Sequence, residues 1–249
     1  MTEPSQQRGS RLLGRILPAA VKLWLHSQLD AVEGLKFELE GSDRQVLSGR
    51  LAAISLEARE IVYQGMKLTA ASLSARDIEI NLGQILRGRP LRLQRAFAVE
   101  GQVEITDKDL QVSSDSLLSE GIASFWHTLL QHPGTGAEIE QHYGKAALAD
   151  LSADNWCSDG PQLCLSERGL SLSVAGSGTT EARLAGQLVV HQYRWLNLVN
   201  PQWRLRSGTW IASQALDGFS WDLGAHTRLQ SVQLEPHRLV CKGAVTVQP

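Results

Sequence analysis

The residues best suited to chemistry are seven histidines and three cysteines, and their spacing builds no recognisable site. His127 and His132 are five residues apart, so they do not share a helix face as two zinc-binding histidines do. Cys157 and Cys164 lack zinc-knuckle spacing. The Gly-Ser-Gly sequence at residues 176–178 lacks the frame of a hydrolase nucleophile. We therefore expect no enzyme, no cofactor and no metal.

A cluster of arginines with no acid among them is the best localised charged feature. Its members are Arg87, Arg89, Arg92 and Arg95, on a predicted hairpin. Guanidinium groups suit phosphate, so one interpretation is contact with lipid head groups or an anionic membrane. The other is a solvated hairpin edge. Nucleic acid is not expected, because no stacking aromatics are interleaved and the formal net charge is −2.

Composition and length narrow the class of protein. A chain of 249 residues fits one β-rich domain or two smaller ones. No apolar run approaches the roughly 18 residues that predict a membrane span, and no signal peptide is recognisable. The three cysteines favour a reducing compartment, although a Cys157–Cys164 bridge with Cys241 free stays open. The expected location is cytoplasmic, or peripheral on the cytoplasmic face of a membrane.

An amphipathic helix is predicted near the N-terminus, with Pro18 in its first turn. Its apolar face carries Val21, Trp24, Leu25, Leu29 and Val32. Before it, Leu12, Leu13, Ile16 and Leu17 alternate with arginines. The segment is interpreted either as a membrane anchor or as a helix packed on its own domain. We expect a flexible basic and apolar arm at residues 1–17 and a single domain at residues 18–249.

A period of two runs from residue 35 to residue 105 and predicts long antiparallel strands. The alternation slips by one residue near Arg59-Glu60, as at a β-bulge, and slips again within residues 66–82. Repeated slips favour a strongly curved sheet. Thr106 and Asp109 resemble a capping box before a broad apolar stripe of one or two helices, which ends at residues 132–134. Strands then return, which gives an α+β pattern.

Several blocks resemble a known family. They are residues 24–28 (WLHSQ), 41–49 (GSDRQVLSG), 62–68 (VYQGMKL), 78–93 (IEINLGQILRGRPLRL) and 99–116 (VEGQVEITDKDLQVSSDS). Together they resemble the LmeA-like phospholipid-binding proteins, in particular a cyanobacterial branch long catalogued as a domain of unknown function. The likeness is strongest over residues 20–130, and the family has no agreed catalytic residues.

The resemblance implies a long, strongly curved antiparallel sheet wrapped around a central helix, a half-barrel like the tubular lipid-binding (TULIP-like) folds. Mycobacterial relatives are envelope proteins that bind phospholipid and support glycolipid assembly, but this sequence lacks their export signal. On that fold, one face of the central helix would meet acyl chains. The groove candidates are Leu118, Ile122, Phe125, Trp126 and Leu129. The alternative is that they form an ordinary core.

The sequence therefore leaves three functions open. The first is a non-enzymatic phospholipid-binding or lipid-transfer protein, peripherally attached to an anionic membrane surface. The second is a structural or adaptor module that binds a protein partner there. The third is an enzyme whose site is assembled from scattered residues. The lipid, the membrane and the oligomeric state are not determined by the sequence.

Overall fold

A computed structural model describes residues 5–113, 117–152, 156, 161–178 and 180–249. The helices are α1 (Ser5–Gln28), α2 (Asp43–Leu47), α3 (Leu82–Ile85), α4 (Asp107–Val112), α5 (Leu117–Leu130), α6 (Thr135–Tyr143) and α7 (Ala147–Asp150). The first strands are β1 (Ala31–Glu40), β2 (Arg50–Tyr63), β3 (Met66–Glu79), β4 (Phe97–Thr106), β5 (Gln162–Ser166) and β6 (Gly169–Ala175). The remaining strands are β7 (Glu181–His191), β8 (Trp195–Arg204), β9 (Trp210–Ala212), β10 (Ser220–Asp222), β11 (Thr227–Glu235) and β12 (Arg238–Val247).

The strands form two antiparallel sheets, which confirms the α+β class. In the part of the chain that the structure describes, the first sheet has six strands in the order β1-β2-β3-β4-β12-β11. The second has the order β10-β8-β7-β6-β5, with β9 paired to β8. The last two strands of the chain thus return to the first sheet beside β4, and the whole second sheet lies between them in sequence. A single sheet wrapped around one helix was expected. Instead, β5 to β10 form a sheet of their own, and β11 and β12 pair with the first sheet.

The phase slips predicted in β2 and β3 are present. Glu60 has a φ of 46°, and the β1–β2 register shifts on either side of the Glu33–Arg59 pair. The glycine on the facing strand, Gly34, has a φ of 58°. In β3 the buried residues change phase between Leu68 and Ala71, although the β2–β3 pairing is unbroken. The slips therefore let each long strand keep its apolar residues on one face.

Among the described residues, three contiguous groups of apolar side chains make the core. One lies between α5, α6, α7 and the second sheet and includes Trp126 and Trp203. A second lies under α1 and α3 at one end of the first sheet and includes Val21 and Ile78. The third lies under α4 and β5 at the other end of the first sheet and includes Leu165.

Asp107 connects the two sheets at the start of α4. Its Oδ1 accepts a 2.7 Å hydrogen bond from the Leu165 N–H on β5. Its Oδ2 lies 2.5 Å from Nδ1 of His237, in the turn between β11 and β12. One carboxylate therefore joins the end of the first sheet to the edge of the second. The capping box predicted from Thr106 and Asp109 is confirmed immediately beside it.

Candidate functional site

The five candidate residues of α5 lie mainly inside the core. Trp126 and Leu129 have no exposed surface, and Ile122 is 8% exposed. Trp126 Nε1 donates a 2.8 Å hydrogen bond to the Leu151 carbonyl, and its ring packs edge-to-face on Trp203 at 6.2 Å. An indole whose N–H is satisfied inside the protein is typical of a closed core.

Two of the five α5 candidates are only half-buried. Phe125 packs edge-to-face on Phe219 at 5.6 Å and on Trp221 at 5.5 Å. Leu118 contacts both the core beneath α5 and the core beneath α4. The packing of α5 thus agrees with the alternative interpretation, an ordinary core, for the three buried members. Acyl-chain contact by α5 stays a prediction.

The first sheet carries a half-buried apolar face that was not singled out from the sequence. We call it the apolar band. Its members are Phe37, Leu39, Ile54, Leu56, Leu73, Val99, Val103 and Val245. They share one face because Leu39 pairs with Ile54, Val99 with Val245, and Leu56 with both Phe37 and Leu73. Val245, on β12, is 49% exposed.

The band connects the apolar clusters at the two ends of the sheet, and its members other than Val245 pack against one cluster or the other. At one end, Leu17 and Val21 of α1 and Leu82 of α3 are buried against it. At the other end, Leu110 of α4 and Leu165 of β5 close the core. The alternation along the strands predicts these apolar residues. Whether a helix covers a given one depends on the tertiary packing. That is why sequence reasoning placed the candidate surface on α5 instead.

The arginines lie on a loop, so the predicted hairpin is wrong. After β3 the chain forms the short helix α3, and only an isolated bridge between Ile80 and Leu93 closes the segment. The buried Asn81 holds the loop: its Nδ2 donates to the Pro90 carbonyl at 3.1 Å, and its Oδ1 accepts from the Arg92 N–H at 2.7 Å. We call residues 86–95 the arginine loop.

The four arginines are all exposed but differ in their partners. Arg95 lies 3.3 Å from the Glu79 carboxylate, which also lies 3.8 Å from Arg50. Arg87, Arg89 and Arg92 have no carboxylate within 4.0 Å among the described residues. Three of the four predicted cations therefore project their charge into solvent.

The proposed anchor residues lie along α1, which begins at Ser5, so Pro18 is inside the helix rather than in its first turn. Leu12, Leu13 and Ile16 belong to this helix, and their side chains lie outside the described part of the chain. Leu17 is 3% exposed and packs with Val21 on the domain. Its burial agrees with the interpretation that this helix docks on its own sheet.

The half-buried carboxylate of Glu138 has structural partners. Glu138 on α6 accepts hydrogen bonds from Trp203 Nε1, Ser213 Oγ and the N–H groups of Gln214 and Ala215. Burial alone would raise the pKa of Glu138, but these four hydrogen bonds outweigh it and lower the pKa below its ordinary value. The carboxylate therefore stays ionised and fixes the loop before β10.

Other features that could support chemistry are sparse in the described residues. They contain no group of three His, Cys, Asp or Glu side chains placed to hold a metal ion. Two surface concavities, of about 540 Å³ beside Asn200 and about 480 Å³ beside Arg59, are lined mainly by polar side chains. Cys164 and Cys241 are free thiols, whereas Cys157 lies outside the described residues. Burial raises the pKa of the Cys241 thiol to about 11, so it is not an activated nucleophile.

No helix in the described part of the chain is both long and apolar enough to span a membrane. The fold and its surfaces define, in the described residues, an α+β protein of two antiparallel sheets, with a half-buried apolar face and a cationic loop. The chain belongs to the LmeA-like phospholipid-binding family, whose sequence pattern it matches over residues 8–244. Comparisons with curated proteins and with solved structures gave no match.

Proposed function

We propose that this protein binds phospholipid on the apolar band of the first sheet and catalyses no reaction. The observation that carries the proposal is the band itself, since Leu56, Leu73 and their neighbours are apolar, aligned across strands and half-buried. An acyl chain laid on this face would gain about 0.8 kcal/mol for each buried CH₂ group. Membership of a phospholipid-binding family supports the same ligand class.

The shape of the first sheet supports a concave binding face. Gly101 on β4 pairs with Gly243 on β12, and a β-carbon at either position would collide with the neighbouring strand. Such close strand approach accompanies strong coiling of a sheet. We infer a curved, TULIP-like half-barrel in residues 18–249, with Leu118 at its inner margin and the other α5 residues as its supporting core.

We further propose that the protein acts at a membrane as a peripheral protein, exchanging lipid there. The arginine loop and α1 are the candidate contacts. The free thiols Cys164 and Cys241 support placement on the reducing, cytoplasmic side. Removing residues 1–17 should weaken flotation of the protein with anionic liposomes. Unchanged flotation would reject a role for the predicted anchor residues Leu12, Leu13 and Ile16, whereas Leu17 is already buried in the domain.

Native mass spectrometry of protein purified from its own host tests the lipid proposal. We expect phospholipid adducts on the unmodified protein and a clear loss of them in a Leu56→Gln/Leu73→Gln double variant. The matched control is Val189→Gln, which changes an apolar residue that is 49% exposed on the second sheet. Protein that never carries lipid would reject the function and favour the adaptor hypothesis. Equal adducts on the double variant would reject the band as the site.

A further inference from the structure

We propose that the end of the molecule formed by α2, α3 and the arginine loop inserts into an anionic phospholipid bilayer, with Leu47 and Leu86 entering the apolar layer. The inference rests on the proposed lipid-binding function, and it names the partner surface and the orientation of docking. The end-on contact would bring the apolar band to the membrane from which lipid is taken.

Two exposed leucines give this end its apolar character. Leu47, the last residue of α2, is 58% exposed, and Leu86, directly after α3, is 50% exposed. The segments that carry them adjoin, because the Ile80 N–H, just before α3, donates a 2.9 Å hydrogen bond to the Gly49 carbonyl, just after α2. Large apolar side chains at loop tips beside cations are typical of membrane contact.

The charge around these leucines matches an anionic partner. Arg87, Arg89 and Arg92 are exposed and have no carboxylate within 4.0 Å in the part of the chain that is described. The carboxylate of Glu79 instead engages Arg50 and Arg95, so Arg95 is left out of the contact. Guanidinium groups pair well with phosphate oxygens, which every phospholipid head group presents.

The arginine loop is held in place before any membrane arrives. Asn81 is 5% exposed and bonds the backbone at Pro90 and Arg92, and the Arg89 N–H donates to the Gln84 carbonyl at 3.0 Å. A loop ordered in advance gives up less conformational entropy when it binds. The backbone that carries Arg87, Arg89 and Arg92 is therefore already ordered before the protein binds a membrane.

The inserted end adjoins the proposed lipid site. Leu82 and Ile85 of α3 lie in the same apolar cluster as Phe37, Leu39 and Ile54 of the band. Leu82 and Ile85 are themselves buried, so the docked end adjoins the band at its covered end.

The test uses full-length protein and protein-free vesicles of phosphatidylcholine, with or without phosphatidylglycerol. An Arg87→Gln/Arg89→Gln/Arg92→Gln variant should bind anionic vesicles about 100-fold more weakly and with a smaller salt dependence. A matched control, Lys36→Gln/Arg59→Gln/Arg76→Gln, makes the same charge change at exposed cations on the polar face of the first sheet. We expect this control to retain most of the binding.

A Leu47→Ser/Leu86→Ser variant separates insertion from charge. It should bind the same vesicles at least about tenfold more weakly with an unchanged salt dependence, because only apolar burial is lost. Equal binding by either variant and the unmodified protein would overturn the inference. So would absence of binding to protein-free anionic vesicles, which would point to an acidic protein as the partner.

Lipid adducts in native mass spectrometry give an independent readout for the proposed function. Variants of the docking end should keep whatever lipid they acquired during expression, because the band is intact. A protein that docks on vesicles through these residues but carries no lipid would retain the docking surface and reject the lipid-binding function. If the protein carries lipid but the variants bind vesicles as well as the unmodified protein does, the docking surface alone would be rejected.

Discussion

Gly101 on β4 lies directly opposite Gly243 on β12, and neither position has room for a β-carbon. A β-carbon on Gly101 would lie 2.2 Å from the Ser72 carbonyl oxygen, and one on Gly243 would lie 2.6 Å from the Arg228 oxygen. Both obstacles are backbone atoms, which cannot rotate away. The paired glycines therefore let β4 approach β3 closely, and let β12 approach β11 closely.

Replacing Gly101 by alanine should lower the free energy of unfolding by about 1–3 kcal/mol, because the strands must separate to admit the methyl group. Urea denaturation followed by tryptophan fluorescence measures the change. Gly121 provides the control, since it lies inside α5 with no atom within 4 Å of its added β-carbon. Gly121→Ala should raise stability by about 0.5–1 kcal/mol. A neutral Gly101→Ala substitution would contradict the close strand approach.

Leu129 distinguishes a core role from a lipid-contacting role for α5. It has no exposed surface, so Leu129→Ala should cost about 2–5 kcal/mol of stability through lost burial and a cavity. The fraction of folded protein that carries phospholipid should stay the same. Native mass spectrometry combined with urea denaturation measures both quantities. Loss of lipid without loss of stability would instead restore α5 as a wall of the lipid site.

Glu138 makes stability depend on pH in the acid range. Because hydrogen bonding outweighs burial and lowers its pKa in the folded protein, its stabilising effect is present above the unfolded-state pKa, about 4.3 for glutamate. The effect is lost as the pH falls through the folded-state pKa. We expect Glu138→Gln to cost about 1–3 kcal/mol at neutral pH, since an amide cannot accept all four hydrogen bonds.

The pH dependence provides the check on Glu138. The stability difference between the unmodified protein and Glu138→Gln should shrink progressively below about pH 4 in urea titrations. The control is Glu140→Gln, an exposed glutamate on the same helix, which should change stability by less than about 0.5 kcal/mol. A difference that stays constant from neutral to acid pH would mean that the Glu138 carboxylate is not held ionised.

Local features of the fold follow from the sequence where neighbouring residues are enough to specify them. The phase slip at Glu60 is visible as a change of alternation, because a side chain on a strand must choose one of two faces. The cap on α4 is visible in Thr106 and Asp109, since both partners lie within one turn. Family membership likewise follows from the sequence, which matches the family over residues 8–244.

The arginine loop could not be predicted from neighbouring residues. Gly88 and Pro90 within a charged stretch suggest a hairpin, but Asn81 bonds the backbone at Pro90 and Arg92 and directs the chain into α3 and a loop. A hydrogen bond between an amide side chain and a backbone group about ten residues away leaves no periodic signal in the sequence.

The sequence by itself determined the strands and their slips, the capped helix, the cluster of arginines and the phospholipid-binding family. The tertiary structure decided that β12 returns to β4, that two sheets form, and that Trp126 is sealed while Leu56 stays half-buried. The physical reason is that alternation records only which face of a strand is apolar. Whether a helix, a second sheet or nothing covers that face depends on contacts between residues far apart in the chain.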